Sequence, residues 1–428
     1  MAKIHEQSLI SLEVELLWQS KEARHKERYL ARRVNMWRDI FPPRLHQALL
    51  NKTIGDEITL DYSAGEAVPA INPMLIHRVH RSQFAHREVR GRRILPLKGR
   101  FYPRGMLGNM PGVFPQNIQP GRIIDLDDQI MTVDLNQPLA GYELTLKAKV
   151  LDVAGKVSET GGRLTCWMEE WADTGPGMQV RYQGRPTEFA TPEGMRRGDE
   201  SDDPAFYSQP RLIGHVDSQA SAFLRSVYDD ALPKQGTVLD LMSSMQSHLP
   251  DSMSLNVTGL GMNLEEMNAN PQLSRRIIHN LNANPILPFA EGSFDSVICS
   301  LSIEYLVHPR EVVAQCARVL RPGGQLLIGF SNRWFPDKAI AMWMDLHEFE
   351  RTGFVLDLLL ATEAFQDLRT VSIRNWWRPE DDPHSNTTTT SDPIYVVVGK
   401  RIADEQRNYS GSRSHAPAHH SCNATTPR

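Results

Sequence analysis

The stretch NPILPFAEGSFDSVICSLSIEYLVHPREVVAQCARVLRPGGQLLIGFSN, residues 284–332, decides the fold of the carboxyl-terminal half. Residues 296–301 and 325–330 are short apolar runs that suit strands covered on both faces. Between them Val312, Val313, Cys316, Ala317 and Leu320 recur at helical spacing. The turn Arg321-Pro322-Gly323-Gly324 is expected to end that helix. Strand, helix and strand in this order make one unit of a mostly parallel sheet, which places ligands at the carboxyl ends of its strands.

The same logic extends on both sides. Residues 216–232 read as an amphipathic helix with Ala220, Phe223, Leu224, Val227 and Leu232 on its apolar face. GTVLDLMSS, residues 236–244, reads as a buried strand before a turn and a helix. A second strand is expected at residues 255–259, and IYVVV, residues 394–398, completes a seven-stranded sheet. Asp240 closes the first strand, and the loop after it, residues 242–248, contains no glycine.

The wording LPF-x-x-x-SFD at residues 287–295 and RVLRPGG at residues 318–324 resembles class I S-adenosylmethionine-dependent methyltransferases of the type 11 branch. The resemblance implies a Rossmann-like α/β domain over residues 206–400 with S-adenosyl-L-methionine as cofactor. Asp240, Ser243 and Ser244 would then face the methionine moiety, with Ser300 closing the far side. Gly259, at the end of the second strand, and Gly261 just beyond it are also expected to contact the cofactor. Family members carry an acid where Gly261 stands, so Asn263, with or without Glu265, is expected to take the ribose. Asn280, Leu281 and Asn282 would border the adenine. FSNRWFPDKAIAMW, residues 330–343, follows the fifth strand, so Asn332, Arg333 and Lys338 are candidates for contact with the methyl acceptor. No catalytic base is assigned: Tyr305, His308 and His347 suit structural roles better. The alternative reading is a non-catalytic folding or assembly factor whose methyltransferase scaffold has degenerated and lost its cofactor.

The amino-terminal half reads as β-rich. Ile10, Leu12, Val14 and Leu16 alternate with Ser11, Glu13 and Glu15, and Leu144, Leu146, Ala148 and Val150 do likewise. Residues 123–126 and 130–135 flank Asp127-Asp128 as a hairpin, and residues 21–50 are helical in tone. An antiparallel sheet wrapped on a helix is the expected α+β arrangement.

LHQALLNKTIGDEITLDYSAGEAVP at residues 45–69, MPGVF at 110–114 and VDLNQPLAG at 133–141 resemble an FKBP-type peptidyl-prolyl isomerase of the SlyD-like branch. The resemblance covers residues 1–153 and implies a flap insert at about residues 70–120, a polypeptide client and weak isomerase activity. Phe41 and Leu146 would line the desolvating pocket such catalysis needs. The pattern departs from the family where KEARHKERYLARRVNMW, residues 21–37, replaces an aspartate-bearing loop.

Composition bounds these readings. A chain of 428 residues with 40% hydrophobic and 23% charged residues suits two or three globular domains. No apolar run approaches a membrane span, and the polar start MAKIHEQS is no signal peptide. The four cysteines, Cys166, Cys299, Cys316 and Cys422, show neither metal nor disulfide spacing, so a cytoplasmic location and no metal are expected. Residues 1–150 hold 22 Lys and Arg against 16 Asp and Glu within a chain of net charge −4, so the halves differ in charge. Nine Lys and Arg, three His and one acid between Ile76 and Arg104 would suit nucleic acid, but a solvated face is favoured because aromatics are sparse. Residues 154–205 read as a linker region, and residues 401–428 as a disordered tail.

Overall fold

A computed structural model describes residues 2–89, 91–155 and 164–403. In the amino-terminal half, β1 (Ser8–Gln19) and β2 (Arg24–Asn35) form a long antiparallel hairpin. Ile10, Leu12, Val14 and Leu16 are buried, as the alternation predicts. Residues 21–50 depart from the helical expectation: the one helix described there is α1 (Leu45–Leu49). The reason is that β2 is an interior strand with buried polar groups. His25 Nδ1 lies 2.7 Å from Thr370 Oγ1, and Gln179 Nε2 donates to Glu27 Oε1 at 2.8 Å. Charges that look like a helix surface are matched pairwise inside a sheet.

After β3 (Glu57–Tyr62) the chain leaves this sheet. β4 (Ile76–His80), the short β5 (Glu88–Val89) and β6 (Arg92–Arg93), then β7 (Phe101–Pro103), β8 (Pro120–Leu126) and β9 (Ile130–Asp134) follow. A second sheet in the order β4-β9-β8-β7 closes over its own core of Tyr102, Met106, Ile123, Met131 and Val133. The insert therefore extends beyond the expected residue 120 and takes the hairpin of β8 and β9 with it. β10 (Leu144–Gly155) returns to pair with both β1 and β3.

Residues 164–206 pack against both halves. They include α2 (Trp167–Ala172) and α3 (Asp203–Phe206). Trp167 and Trp171 are buried in the amino-terminal core, whereas Met178 and Phe189 are buried in the carboxyl-terminal one.

The carboxyl-terminal half begins with α4 (Ser218–Ala231), capped by Asp217, whose carboxylate accepts from Ala220 N. It continues through β11 (Gln235–Leu241), β12 (Ser254–Gly261), α5 (Leu264–Ala269), β13 (Leu273–Ile278) and β14 (Phe294–Ser300). Then come α6 (Pro309–Val319), β15 (Leu320–Ser331), α7 (Ala341–Asp345), α8 (Glu348–Ala361), β16 (Phe365–Arg374) and β17 (Ile394–Arg401). The strand order is β13-β12-β11-β14-β15-β17-β16, parallel from β13 to β15 and antiparallel at β17. The order reverses between β11 and β14, the switch point at which Rossmann-like sheets bind ligands.

Two local expectations are corrected. The helix α6 ends at Val319, and Arg321–Gly324 forms an irregularity within β15, where pairing jumps from Phe294↔Leu320 to Ser296↔Gln325. No helix follows β11: residues 242–253 run as turns, because Ser243 N donates to Leu260 O and draws the loop across β12.

β16 pairs in parallel with β2, so one sheet of eleven strands among the described residues runs through both halves. The carboxyl-terminal core also takes in Ala23 and Phe101 from the amino-terminal half. Arg100 Nε donates to Glu350 Oε1 at 2.8 Å, with both side chains buried, and Phe101 N donates to the same oxygen at 2.8 Å. Among the described residues no helix is long and apolar enough to cross a membrane. Residues 404–428, with Cys422 and most of the expected tail, lie outside the described residues.

Candidate functional site

A cavity of about 230 Å³ opens at the carboxyl ends of β11, β12, β13 and β14. Asp240, Ser243, Ser244, Gly261, Asn263, Asn280, Leu281, Asn282 and Ser300 all line it, and so does Arg333.

The loop after β11 solves its conformational problem without glycine. Met242 takes φ 56° and His248 φ 55°, left-handed values that cost an L-residue about 1–2 kcal/mol each. Asp240 is buried and accepts from Ser243 Oγ and Ser247 Oγ, both at 2.6 Å. Burial outweighs these bonds and pushes its carboxyl up to about 6. His248, which donates to or accepts from Ser221 Oγ at 2.9 Å, is pushed down to about 4 by burial.

The glycines at the end of β12 have a packing cause. A Cβ on Gly261 would meet Ser243 O at 2.2 Å, and one on Gly259 would meet Leu273 Cδ1 at 2.6 Å. The tucked loop occupies the space in which an acidic side chain at Gly261 would stand. Gly259 itself is not on the cavity wall. Asn263 is committed elsewhere: its Oδ1 caps α5 by accepting from Glu266 N at 3.0 Å, and its Nδ2 donates to Tyr207 O at 2.9 Å. The acid that reaches the cavity from this end of β12 is Glu266, not Glu265. Glu266 accepts from Ser244 Oγ and Arg211 N, each at 2.7 Å.

Asn282 is likewise spent on structure, donating to Asp203 Oδ2 at 2.9 Å and Tyr305 O at 3.0 Å while accepting from Val307 N at 2.9 Å. Asn280 Oδ1 accepts from Asn282 N at 2.9 Å, an arrangement that uses only the oxygen end of the amide. Ser300 Oγ bonds Tyr228 OH at 2.7 Å.

The acceptor candidates separate. Arg333 reaches the cavity wall, with Nη2 3.2 Å from His384 Nε2. Asn332 is exposed and lines a neighbouring cleft with Arg374 and Arg378. Lys338 is fully buried: Nζ donates to Ser201 O at 2.9 Å and pairs with Asp199 at 3.1 Å and Asp203 at 3.4 Å. It fastens the segment before α4 rather than meeting a ligand. Phe41 rests half-buried against His46, and Leu146 is fully buried in the amino-terminal core, so Leu146 cannot form an open pocket wall.

Among the base candidates, Tyr305 OH accepts from Phe335 N at 2.9 Å. His308 is exposed at the start of α6, and His347 caps α8 in a capping box with Glu350. Glu304, fully buried with neither carboxylate oxygen hydrogen-bonded, is pushed up to about 8 by burial and so is mostly protonated at neutral pH.

Sequence reasoning missed the wall that faces these loops. Asp203, Tyr207, Arg211 and His215 come from the segment before α4 and roof the cavity. Its signal was the cluster FYSQPRLIGH, residues 206–215, which groups two aromatics, Arg and His around Pro210 and Gly214 shortly ahead of the first helix of the α/β unit.

Residues 243–328 match the family model described as a methyltransferase domain. A ubiquinone biosynthesis O-methyltransferase of Xanthomonas oryzae pv. oryzae is 43% identical over 42 residues, covering 10% of this chain and 18% of that protein. A ubiquinone/menaquinone biosynthesis C-methyltransferase of Roseobacter denitrificans is 39% identical over 64 residues, covering 15% and 25% respectively. The chain thus spans a quarter or less of the length of these curated relatives. A solved S-adenosylmethionine dependent methyltransferase from Mesorhizobium loti is 14% identical, covers 41% of this chain and 96% of its own, and gives a TM-score of 0.28.

Within the carboxyl-terminal half, residues 243–328 thus match a methyltransferase domain, and that match supports S-adenosylmethionine as cofactor. The residues present fit that molecule. Asp240 offers a carboxyl for its ammonium group, Glu266 a carboxylate for its ribose hydroxyls, Asn280 an amide for its adenine edge, and Met262 and Leu281 apolar flanks. Among the described residues no cluster of His, Cys, Asp and Glu could hold a metal ion.

Proposed function

We propose that the cleft binds S-adenosylmethionine and that the protein transfers its methyl group to a small acceptor lodged under the segment 203–215. The observation that carries this reading is convergence. Asp240 at the end of β11, Glu266 after β12 and Asn280 after β13 come from three adjacent parallel strands and meet in one cavity beside the point of strand reversal. The cofactor supplies an electron-poor methyl on sulfur; the protein has to orient the acceptor in line with it and exclude water. The wall of buried Tyr305 with half-buried Trp334 and Phe335 suits that exclusion. Isomerase activity is not part of this reading, because Leu146 is core. A polypeptide client at the amino-terminal half is not part of it either.

The test is calorimetric titration with S-adenosylhomocysteine across pH. Asp240 is protonated at pH 5 and ionised at pH 7, since burial holds its carboxyl at about 6. The ligand's ammonium selects the ionised form, so affinity should rise roughly tenfold from pH 5 to pH 7. His248 stays neutral across that window. Asp240→Asn should remove the pH dependence. Absence of binding at both pH values would favour the alternative, a scaffold without cofactor.

A further inference from the structure

The roof of the cavity holds a cation that has no carboxylate ion-pair partner among the described residues. Arg211 lines the cavity, and its guanidinium carbon lies 4.5 Å from the Phe206 ring centroid, 5.1 Å from that of Phe335 and 6.0 Å from that of Tyr207. Its guanidinium makes one long hydrogen bond, from Nη2 to Phe206 O at 3.4 Å, and among the described residues it forms no ion pair with a carboxylate. The main chain of Arg211 is tied to Glu266 at the β12 end of the cleft, whereas its guanidinium reaches Phe335 beyond β15. It therefore spans from the β12 end of the cleft to the aromatic cluster that follows β15.

That side is aromatic. The Phe335 ring is 6.0 Å from Tyr305 and 5.9 Å from His215. Burial, opposed by the charge of Glu266 and aided by that of Arg211, holds the His215 imidazole below its usual range, so it is neutral near pH 7. Arg333, the other cation on the wall, has Asp392 at 3.9 Å and His384 beside it. Arg211 is thus the cation here that is braced by rings yet unmatched in charge.

Resting on the methyl-transfer reading of this cleft, we propose that its acceptor is a flat ring carrying a negative charge, with the anion on Arg211 and the ring against Phe335 and Tyr305. A guanidinium already stacked on aromatic faces keeps its in-plane N–H groups for an anion, and pairing it completes the charge balance of the cavity.

The experiment titrates full-length protein saturated with S-adenosylhomocysteine with 2-naphthoate and, separately, with the uncharged isostere 2-naphthamide. The charged ring should bind at least about tenfold tighter, because a charge-assisted hydrogen bond is roughly twice as strong as a neutral one. Arg211→Met should erase that preference and leave S-adenosylhomocysteine affinity within about threefold, while Arg211→Lys should keep a reduced preference. Equal affinities of the two probes for the parent protein would overturn the proposal. So would an Arg211→Met variant that loses S-adenosylhomocysteine as strongly as naphthoate, since Arg211 would then serve the cofactor. If both variants fail to fold, the probe pair on the parent protein decides alone. If the parent protein does not bind S-adenosylhomocysteine, the methyl-transfer reading falls, and the same probes on unliganded protein still decide the anion site: a preference supports it and equality overturns it.

Discussion

The seam between the halves and the cavity on the sheet edge bury polar groups in opposite ways. At the seam the groups consume one another: Arg100 with Glu350, His25 with Thr370, Glu27 with Gln179. At the cavity, among the described residues, Asp240 is held by serine hydroxyls alone, and Arg211 has rings around it but no ion-paired carboxylate. Matched burial fixes the position of one element against another; unmatched burial at a cavity leaves capacity for a ligand. The same chain therefore carries polar residues inside for two reasons, and partner geometry separates them where residue type cannot.

This difference also governs what could be read in the sequence. The strands β14 and β15 and the helix between them follow from apolar runs and helical spacing, because both faces of that sheet are covered. β2 could not be read so, since RHKERYLARR resembles a helix surface until β1 and β16 are seen on either side of it. The position of Asp240 was legible from its place at a strand end. The meaning of Gly261 was not: a glycine in an acid's place reads as a lost contact, whereas the space is taken by the backbone of Ser243, a long-range event. Glu266 and Arg211 escaped for the same reason, being brought in by α5 and by the segment before α4.

The sharpest way to break the comparison is to remove the seam. A chain limited to residues 206–403 would leave β16 as a bare edge and strip Ala23, Phe101, Met178 and Phe189 from the carboxyl-terminal core. It should show no cooperative unfolding transition by calorimetry. A transition within a few degrees of that of the whole protein would mean that the halves are separable and the seam incidental.

A milder probe acts on one matched pair. Arg100→Met strands Glu350, so it should cost about 3–5 kcal/mol in denaturant unfolding. The double variant Arg100→Met with Glu350→Met should recover part of that loss, because two apolar side chains replace a desolvated ion pair while the bonds Glu350 accepts from Phe101 N and His347 N are still lost. If the double variant is as unstable as the single one, the pair does more than balance charge across the seam.

The smallest expected effect lies on the cavity side and turns on one methyl group. In Gly261→Ala the new Cβ would sit 2.2 Å from the carbonyl oxygen of Ser243, which is backbone and cannot rotate away. The loop 242–244 must lift, at a cost of about 1–3 kcal/mol by analogy with other overpacked sites. In Gly259→Ala the nearest atom is the Leu273 Cδ1 methyl at 2.6 Å, the far end of a flexible side chain, so the cost should be lower. The two alanines therefore separate packing from binding. Lifting the loop opens the carboxyl to water, and because burial is the larger influence this outweighs the lost Ser243 bond, so Gly261→Ala should lower the Asp240 pKa towards the ordinary carboxylate range and flatten the rise of S-adenosylhomocysteine affinity between pH 5 and pH 7. Gly259→Ala should keep that rise. Equal stability loss in the two variants, with the pH dependence intact in both, would show that the tucked loop does not shape the cofactor end of the cavity.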